Sequence, residues 1–355
     1  MRLGGGPRAR LLKAYAVVAP GLEEVAASEL RALRLGGVEV HPGGVAFKAD
    51  VPGLLRANRW LRSVSRVLAV VAASKLRTFE ALIRFAEGVP WGDYLPPDRA
   101  VRVHVTSTRS RLYHEGAIAD RFMAVLGRRS GAPDVHVFVR LLADRISVAV
   151  DTSGELLHRR GYRQAIGEAP LRETLAAGVL LAAGYDGTVP LIDPMCGSGT
   201  FAVEAALIAA GRAPGAGRRF ALEDWPSFPS ELAAELDPPG REHALVLGFD
   251  RDARVIEAAR ANAERAGAAV AFGVQEAATL PRPDGPPGLL VVNPPYGQRL
   301  PGGDAALHTM VALADRFHGW RTLILHPGSV PGFSPFLRLK NGGIPLGVLT
   351  NAALP

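Results

Sequence analysis

The pattern of hydrophobic and polar positions changes near residue 188 of this 355-residue chain. Before that point, strands that alternate apolar and polar residues are mixed with helices of 3.6-residue periodicity. After it, continuously apolar strands alternate with helices, which is typical of a mostly parallel sheet buried on both faces. The sequence therefore predicts an α/β protein, with an α+β first half and a Rossmann-like, seven-stranded sheet in its second half.

The first half contains seven predicted strands and four predicted helices. The strands are Lys13–Ala19, Val38–Val40, Val45–Lys48, Val64–Ala72, Ala100–Ser107, Val135–Leu141 and Arg145–Asp151. The helices are Pro20–Leu35, Val51–Leu61, Phe79–Glu87 and Glu115–Arg129. This order indicates two small α+β modules in series, without a glycine-rich phosphate loop.

Seven more strands and two helices are predicted after residue 188. The strands are Val189–Asp193, Ala244–Asp250, Ala269–Val274, Leu289–Asn293, Thr322–His326, Phe336–Leu339 and Leu346–Thr350, and the helices are Thr200–Ala210 and Ala253–Ala266. The turn signal Lys340-Asn-Gly-Gly suits an antiparallel hairpin of the last two strands. We expect the first five strands to lie in the order 3-2-1-4-5.

Charge is divided unevenly between the halves. The net charge is +7, but residues 1–168 hold 26 Lys and Arg against 16 Asp and Glu, whereas residues 169–355 hold 15 against 18. A general preference of the organism for arginine would raise the number of cationic residues in both halves. The asymmetry therefore favours a first half that binds a polyanion and a second half that carries out chemistry.

The composition excludes several classes of protein. With 48% hydrophobic and 21% charged residues, the chain can bury a sizeable core. Its apolar runs are far shorter than a bilayer-spanning helix requires and no secretory signal is recognisable, so we expect a cytoplasmic protein with no membrane partner. The single cysteine, Cys196, excludes a disulfide framework, and the scattered histidines predict no metal site.

A glycine-containing loop, Asp193-Pro-Met-Cys-Gly-Ser-Gly-Thr200, joins the first strand of the second half to the following helix. Glycines 197 and 199 allow a ligand to approach the backbone, and the helix start offers free N–H groups to a carboxylate. Ala202 occupies the last position of a dinucleotide fingerprint, and no phosphate-binding G-K-[ST] sequence is present. Asp193 suits the cationic aminoacyl end of S-adenosylmethionine better than a pyrophosphate.

Two acidic positions fit the adenosine part of S-adenosylmethionine. Asp250 ends the second strand, where doubly wound folds hold ribose hydroxyls. Glu276 follows the third strand, where its carboxylate could accept a hydrogen bond from the adenine amine. Asp252 is better explained as the N-cap of the helix that begins at Ala253.

The sequence Asn293-Pro294-Pro295-Tyr296 closes the fourth strand, beside the first. An exocyclic amine conjugated with its ring is a poor nucleophile. The Asn293 amide oxygen and the Pro294 carbonyl could accept both amine hydrogens and direct the lone pair towards a methyl donor. The prolines would preorganise these acceptors, and Tyr296 could stack on a flipped base. Cys196 lies in the preceding loop and is interpreted as a small buried residue, not a nucleophile.

Six stretches together resemble the THUMP-domain class I RNA guanine-N2 methyltransferases, and most of all the N-terminal half of the RlmL-type 23S rRNA methyltransferases. They are Leu157-His-Arg-Arg-Gly-Tyr-Arg163, Ala169-Pro-Leu-Arg-Glu-Thr-Leu-Ala176, Asp193–Thr200, Arg212-Ala-Pro-Gly215, Asn293-Pro-Pro-Tyr-Gly297 and Lys340-Asn-Gly342. The resemblance implies a flexible tail at 1–12, a ferredoxin-like segment at 13–50, a THUMP domain at 51–151, a linker at 152–168 and a methyltransferase domain at 169–355.

The resemblance also implies S-adenosylmethionine as the cofactor, no metal, and catalysis by the loop from Asn293 to Tyr296. The cofactor-binding residues that it implies are Leu171, Thr174, Asp193, Met195, Gly197, Ser198, Gly199, Thr200, Asp250, Arg251, Glu276 and Asn293.

Structured RNA is the implied partner of a monomeric enzyme, with rRNA favoured over tRNA. Arginines around the THUMP-like module and the linker could contact its phosphates. They are Arg109, Arg111, Arg128, Arg129, Arg159, Arg160 and Arg163. Methylation of adenine N6 in RNA or DNA, and a non-catalytic role in RNA binding or ribosome assembly, remain alternatives.

Overall fold

The computed structural model describes residues 11–127, 135–164, 171–229, 231–232, 241–295, 303–341 and 344–352. The chain divides into two compact units. The first comprises Met1–Val18, Ala27–Leu157 and Gly217–Glu235, and the second comprises Ala19–Ala26, His158–Ala216 and Leu236–Pro355. Each unit is built around one seven-stranded sheet.

The N-terminal sheet has the strand order β2-β3-β1-β4-β7-β6-β5. Its strands are β1 (Leu12–Val18), β2 (Gly36–His41), β3 (Gly44–Ala49), β4 (Val64–Lys75), β5 (Val101–Thr108), β6 (Val135–Leu142) and β7 (Arg145–Asp151). The helices are α1 (Glu23–Ala32), α2 (Val51–Trp60), α3 (Phe79–Glu87) and α4 (Glu115–Leu126). All eleven correspond to predicted elements. Helix α4 ends three residues before its predicted end because Gly127 adopts a left-handed conformation, with φ of 60°.

Strand β4 joins what the sequence presents as two modules. One edge of β4 pairs with β1, and the other pairs with β7 from Leu68 to Lys75, both antiparallel. The elements before and after residue 75 therefore share one continuous sheet. The domain bounds inferred from the sequence at residues 50 and 151 remain a prediction.

The second sheet has the order β10-β9-β8-β11-β12-β14-β13. Its strands are β8 (Leu191–Asp193), β9 (Val246–Asp250), β10 (Ala271–Val274), β11 (Leu289–Val292), β12 (Arg321–His326), β13 (Ser334–Asn341) and β14 (Ile344–Thr350). The five strands from β8 to β12 pair in parallel, and β14 pairs antiparallel with β12 and β13. The predicted order 3-2-1-4-5 and the closing hairpin are confirmed.

Four α-helices of the described residues accompany this sheet. They are α5 (Glu173–Ala182), α6 (Thr200–Ala209), α7 (Ala253–Ala266) and α8 (Gly303–Arg316). All four residues of β11 are at most 1% exposed, so this strand is buried on both faces. Met310 and Leu313 of α8 join Val292 and Ile324 in one core cluster. No helix of the described residues is long and apolar enough to cross a membrane.

Candidate active site

Four parallel strands bring the predicted site residues to one edge of the second sheet. Strands β8, β9, β10 and β11 run in the same direction, so their carboxyl ends meet there. Asp193 is the last residue of β8 and Asp250 the last of β9, and Asn293 follows β11 directly. In open α/β sheets, ligands bind outside the carboxyl ends of the strands.

Asp193 is buried, with 3% of its surface exposed. Its Oδ1 accepts a hydrogen bond from the Met195 N–H at 3.2 Å. Burial raises the pKa of the Asp193 carboxyl to about 8; the Met195 N–H opposes this rise, and the nearby Asp250 carboxylate adds to it. A carboxyl in this state gains from a cationic partner, because a cation restores the interactions that the ionised form loses on burial.

The loop after β8 is held by its neighbours. The Gly197 N–H donates to Asp250 Oδ2 at 3.0 Å, and the Asn262 side chain donates to the Ser198 carbonyl at 3.0 Å. Gly199 precedes α6 with φ of 84°, a conformation that favours glycine. A Cβ at position 199 would also lie 2.9 Å from the Phe272 ring. The loop therefore depends on Asp250 and on this glycine.

The other residues predicted to contact the adenosine part of the cofactor differ in exposure. Asp250 is half-buried, and its Oδ1 accepts from the Asp252 N–H at 3.1 Å. Arg251 and Glu276 are exposed. Asp252 accepts from the Arg254 N–H at 2.9 Å, which confirms it as the N-cap of α7.

Asn293 presents an unsatisfied acceptor. Its Oδ1 is buried and finds no hydrogen-bond partner among the residues that the structure describes. Pro294 is buried and Pro295 half-buried, so the backbone that follows β11 is conformationally restricted. Tyr296 lies outside the described residues. A buried acceptor without a partner is energetically unfavourable, and a ligand that donates to it would remove this cost.

The segment before α5 meets the start of α6 through one guanidinium. Arg163 Nη2 donates to the Leu171 carbonyl at 2.6 Å and to Thr200 Oγ1 at 2.9 Å, and Arg163 Nε lies 3.4 Å from Glu173 Oε1. Leu171, Thr174 and Thr200 are all buried. Arg163 thus contacts two of the predicted cofactor-binding residues, Leu171 and Thr200, at one end of two packed helices.

Arg160 and Arg163 are structural within the second unit, contrary to the prediction that they bind RNA phosphates. The Arg160 side chain is 2% exposed, and its Nε lies 2.8 Å from Oε1 of the fully buried Glu204. The same oxygen accepts from the Tyr162 hydroxyl at 3.0 Å. The Arg163 side chain is 9% exposed and already paired, as described above. Sequence spacing alone could not reveal these partners.

The other predicted RNA contacts fall into two groups. Arg109, Arg111 and Arg159 are exposed, and the Arg111 N–H donates to Asp144 Oδ1 at 2.8 Å. Arg128 and Arg129 lie outside the described residues. RNA binding by the exposed arginines remains a prediction.

Cys196 is buried, and burial raises the pKa of its thiol, with Asp193 and Asp250 adding to the rise. The thiolate is therefore disfavoured, in agreement with a packing residue. No group of three or more His, Cys, Asp or Glu side chains in the described part of the chain could hold a metal ion.

Two models of known protein families match the chain. Residues 13–68 match the RlmL ferredoxin-like domain, and residues 160–321 match the RMKL-like methyltransferase domain. The second match spans the loop after β8 and the Asn293 position.

Solved structures of similar proteins cover nearly the whole chain. SMU.472, described as a putative methyltransferase and complexed with S-adenosylhomocysteine, is 30% identical over 98% of this chain and 99% of its own, with a TM-score of 0.82. A predicted N6-adenine-specific DNA methylase from Listeria monocytogenes is 32% identical over 97% of both chains, with a TM-score of 0.83. TrmN from Thermus thermophilus, at 21% identity and a TM-score of 0.72, shares the fold.

The buried ion pair leads to a stability prediction. Replacing Glu204 by Ala leaves the Arg160 guanidinium buried without this carboxylate, so we expect the free energy of unfolding to fall by about 3–5 kcal/mol. Glu257→Ala, on the exposed side of α7, is the matched control and should change it by less than about 0.5 kcal/mol.

Urea denaturation followed by circular dichroism measures both variants. The double variant Arg160→Met/Glu204→Met removes both charges and should recover much of the loss. Equal stability of the Glu204→Ala and Glu257→Ala variants would contradict the structural role of the pair.

Proposed function

The chain belongs to the RlmL-like family of S-adenosylmethionine-dependent methyltransferases, and from this premise we propose that it methylates the exocyclic N2 amine of a guanine in structured RNA. We take 23S rRNA as the first candidate substrate and tRNA as the second. The choice of an amine as methyl acceptor is supported by the buried Oδ1 of Asn293, which has no hydrogen-bond partner among the described residues.

The residues at the sheet edge fit the proposed cofactor. S-adenosylmethionine supplies an electrophilic methyl group and carries an ammonium at its aminoacyl end. Asp193, whose pKa is raised by burial, would accept that ammonium. Asp250 would hold the ribose, although its two oxygens already accept the N–H groups of Gly197 and Asp252. A carboxylate oxygen has a second lone pair for such a contact.

The amide of Asn293 supports an exocyclic amine as the group that accepts the methyl. Its amide oxygen would accept one amine hydrogen and the Pro294 carbonyl the other, so that the nitrogen lone pair is directed towards the methyl group. This arrangement needs no strong base, because the methylated amine loses its extra proton readily. Most of the rate enhancement would come from alignment and from preorganised acceptors.

Guanine in RNA and adenine in DNA offer the same kind of amine, and the Listeria monocytogenes relative is named for adenine. The basic first half of the chain, with 26 Lys and Arg against 16 Asp and Glu, favours a polyanion held outside the catalytic domain. Together with the resemblance to guanine-N2 enzymes, this favours RNA. Adenine N6 methylation is the second candidate function.

Identification of the product tests the proposal. The protein is incubated with isotopically labelled S-adenosylmethionine and, separately, with 23S rRNA, tRNA and DNA, and the digested nucleosides are analysed by mass spectrometry. We expect label in N2-methylguanosine, with rRNA the best substrate. Label in N6-methyladenine would contradict the guanine assignment. Cofactor binding without transfer to any of these nucleic acids would favour a binding factor.

Substitution of Asn293 separates catalysis from cofactor binding. We expect Asn293→Ala to lower kcat by a factor on the order of 10²–10³, because one preorganised acceptor is lost. Its affinity for S-adenosylhomocysteine, measured by calorimetry, should change little. Asn293→Asp retains an acceptor in the same position and should keep clearly more activity than Asn293→Ala. Equal activity of the two variants would remove Asn293 from the proposed role.

A further inference from the structure

One side of the N-terminal sheet carries polar and aromatic side chains instead of a core. Along β6, Val137 and Val139 are at most 1% exposed. Successive side chains of a strand alternate between faces, so Phe138 and Arg140 lie on the opposite side. Phe138 is half-buried, Arg140 is exposed, and Leu142 on the same side is 42% exposed. We call this side of β4–β7 the open face.

The strands of the open face are strongly basic. Together, β4–β7 contain five Lys and Arg residues and a single acidic residue, Asp151. The five cations are Arg66, Lys75, Arg102, Arg140 and Arg145. Asp151 is 2% exposed and forms an ion pair with Arg66. The four remaining cations therefore face no acidic side chain from these strands.

Two of these cations are placed directly opposite each other. Lys75 of β4 pairs in register with Arg145 of β7, and both are exposed. Like charges at opposing positions destabilise a sheet, and a bound anion would relieve the repulsion. Both residues and Arg140 line a groove of about 470 Å³. The groove thus has the charge and the position to hold phosphates.

Flat rings lie beside the cations. The His104 and Phe138 rings are stacked, with centroids 4.8 Å apart and planes inclined by 15°. His104 Nε2 lies 2.9 Å from His136 Nδ1, and the Arg66 guanidinium is 5.6 Å from the centre of the Phe138 ring. Burial lowers the pKa of His104, and Arg102 and Arg66 lower it further, which favours the neutral ring. Neutral aromatic faces next to cations are the elements of a platform for bases.

We propose that the open face binds an unpaired stretch of RNA, with phosphates along Lys75, Arg140 and Arg145 and a base stacked against the rings of His104 and Phe138. The inference rests on the proposed function only in taking RNA as the substrate. Stacking on protein rings requires unpaired bases, because a duplex conceals its base faces. The open face would therefore select substrates in which a single-stranded segment flanks the structured part.

Binding is measured by fluorescence anisotropy with the full chain, using a 12-nucleotide unpaired RNA and a blunt 12-base-pair RNA duplex as probes. The charge variant is Lys75→Gln/Arg140→Gln/Arg145→Gln, which removes the three cations assigned to phosphates. Its matched control is Arg31→Gln/Arg34→Gln/Arg84→Gln, which removes three exposed arginines from α1, the turn after it and α3. Phe138→Ala and Phe138→Leu test the ring, and the second keeps most of its buried volume.

We expect wild type to prefer the unpaired probe. The charge variant should bind it at least about 10-fold more weakly, and its slope of log affinity against log salt should be shallower by about 2, since each phosphate contact contributes about 0.7. Both Phe138 variants should lose on the order of 10-fold. The control should match wild type. Equal binding of charge variant and control, or no preference for the unpaired probe, would overturn the inference.

The outcome separates this inference from the proposed function. If the protein methylates guanine but its open-face variants bind RNA as wild type does, only the RNA-binding role of the open face is refuted. Conversely, RNA binding that depends on the open face, combined with a methyladenine product, would refute only the guanine acceptor. With natural RNA substrate, the charge variant should raise KM and leave kcat unchanged.

Discussion

The parallel pairing of β8, β9, β10 and β11 is the constraint on which the candidate site depends. Parallel strands place their carboxyl ends at one edge, so residues far apart in the sequence meet there. Asp193, Asp250 and Asn293 reach this edge without a special backbone conformation of their own. The loop after β8 then connects two of them, because its Gly197 N–H donates to Asp250.

The same edge combines two features that are unfavourable in the absence of a ligand. The Asp193 carboxyl is buried, and the Asn293 oxygen is buried without a partner in the described residues. Under the proposed function, the cofactor would bring an ammonium to Asp193 and the substrate an amine hydrogen to Asn293, which would compensate both.

Much of the second unit could be predicted from the sequence, because its parallel strands are short and largely apolar, and β8, β9 and β11 end at or directly before an Asp or Asn. Helix α5 was missed since residues 173–180 are all buried and show no polar face. The roles of Arg160 and Arg163 were mistaken because their acidic partners are not close in sequence. Likewise, only the pairing of β4 with β7 shows that the first half forms one sheet.

The raised pKa of Asp193 allows the most direct test of the site. In the unfolded chain this carboxyl ionises near pH 4, so between about pH 4 and 8 the folded chain carries an extra proton. The stability that this proton contributes is fully present below about pH 4, declines as the pH rises from there, and is lost once the pH has passed through about 8. An ammonium bound at Asp193 favours the ionised form, and binding near pH 7 must then release the proton.

Calorimetric titration with S-adenosylhomocysteine at pH 7, in two buffers of different ionisation enthalpy, counts that proton. We expect wild type and the variant Asp252→Asn, which alters the N-cap of α7, to release most of one proton per molecule bound. Asp193→Asn should release none. Binding without proton release in wild type, or with the same release in Asp193→Asn, would contradict the placement of the cofactor at this carboxyl.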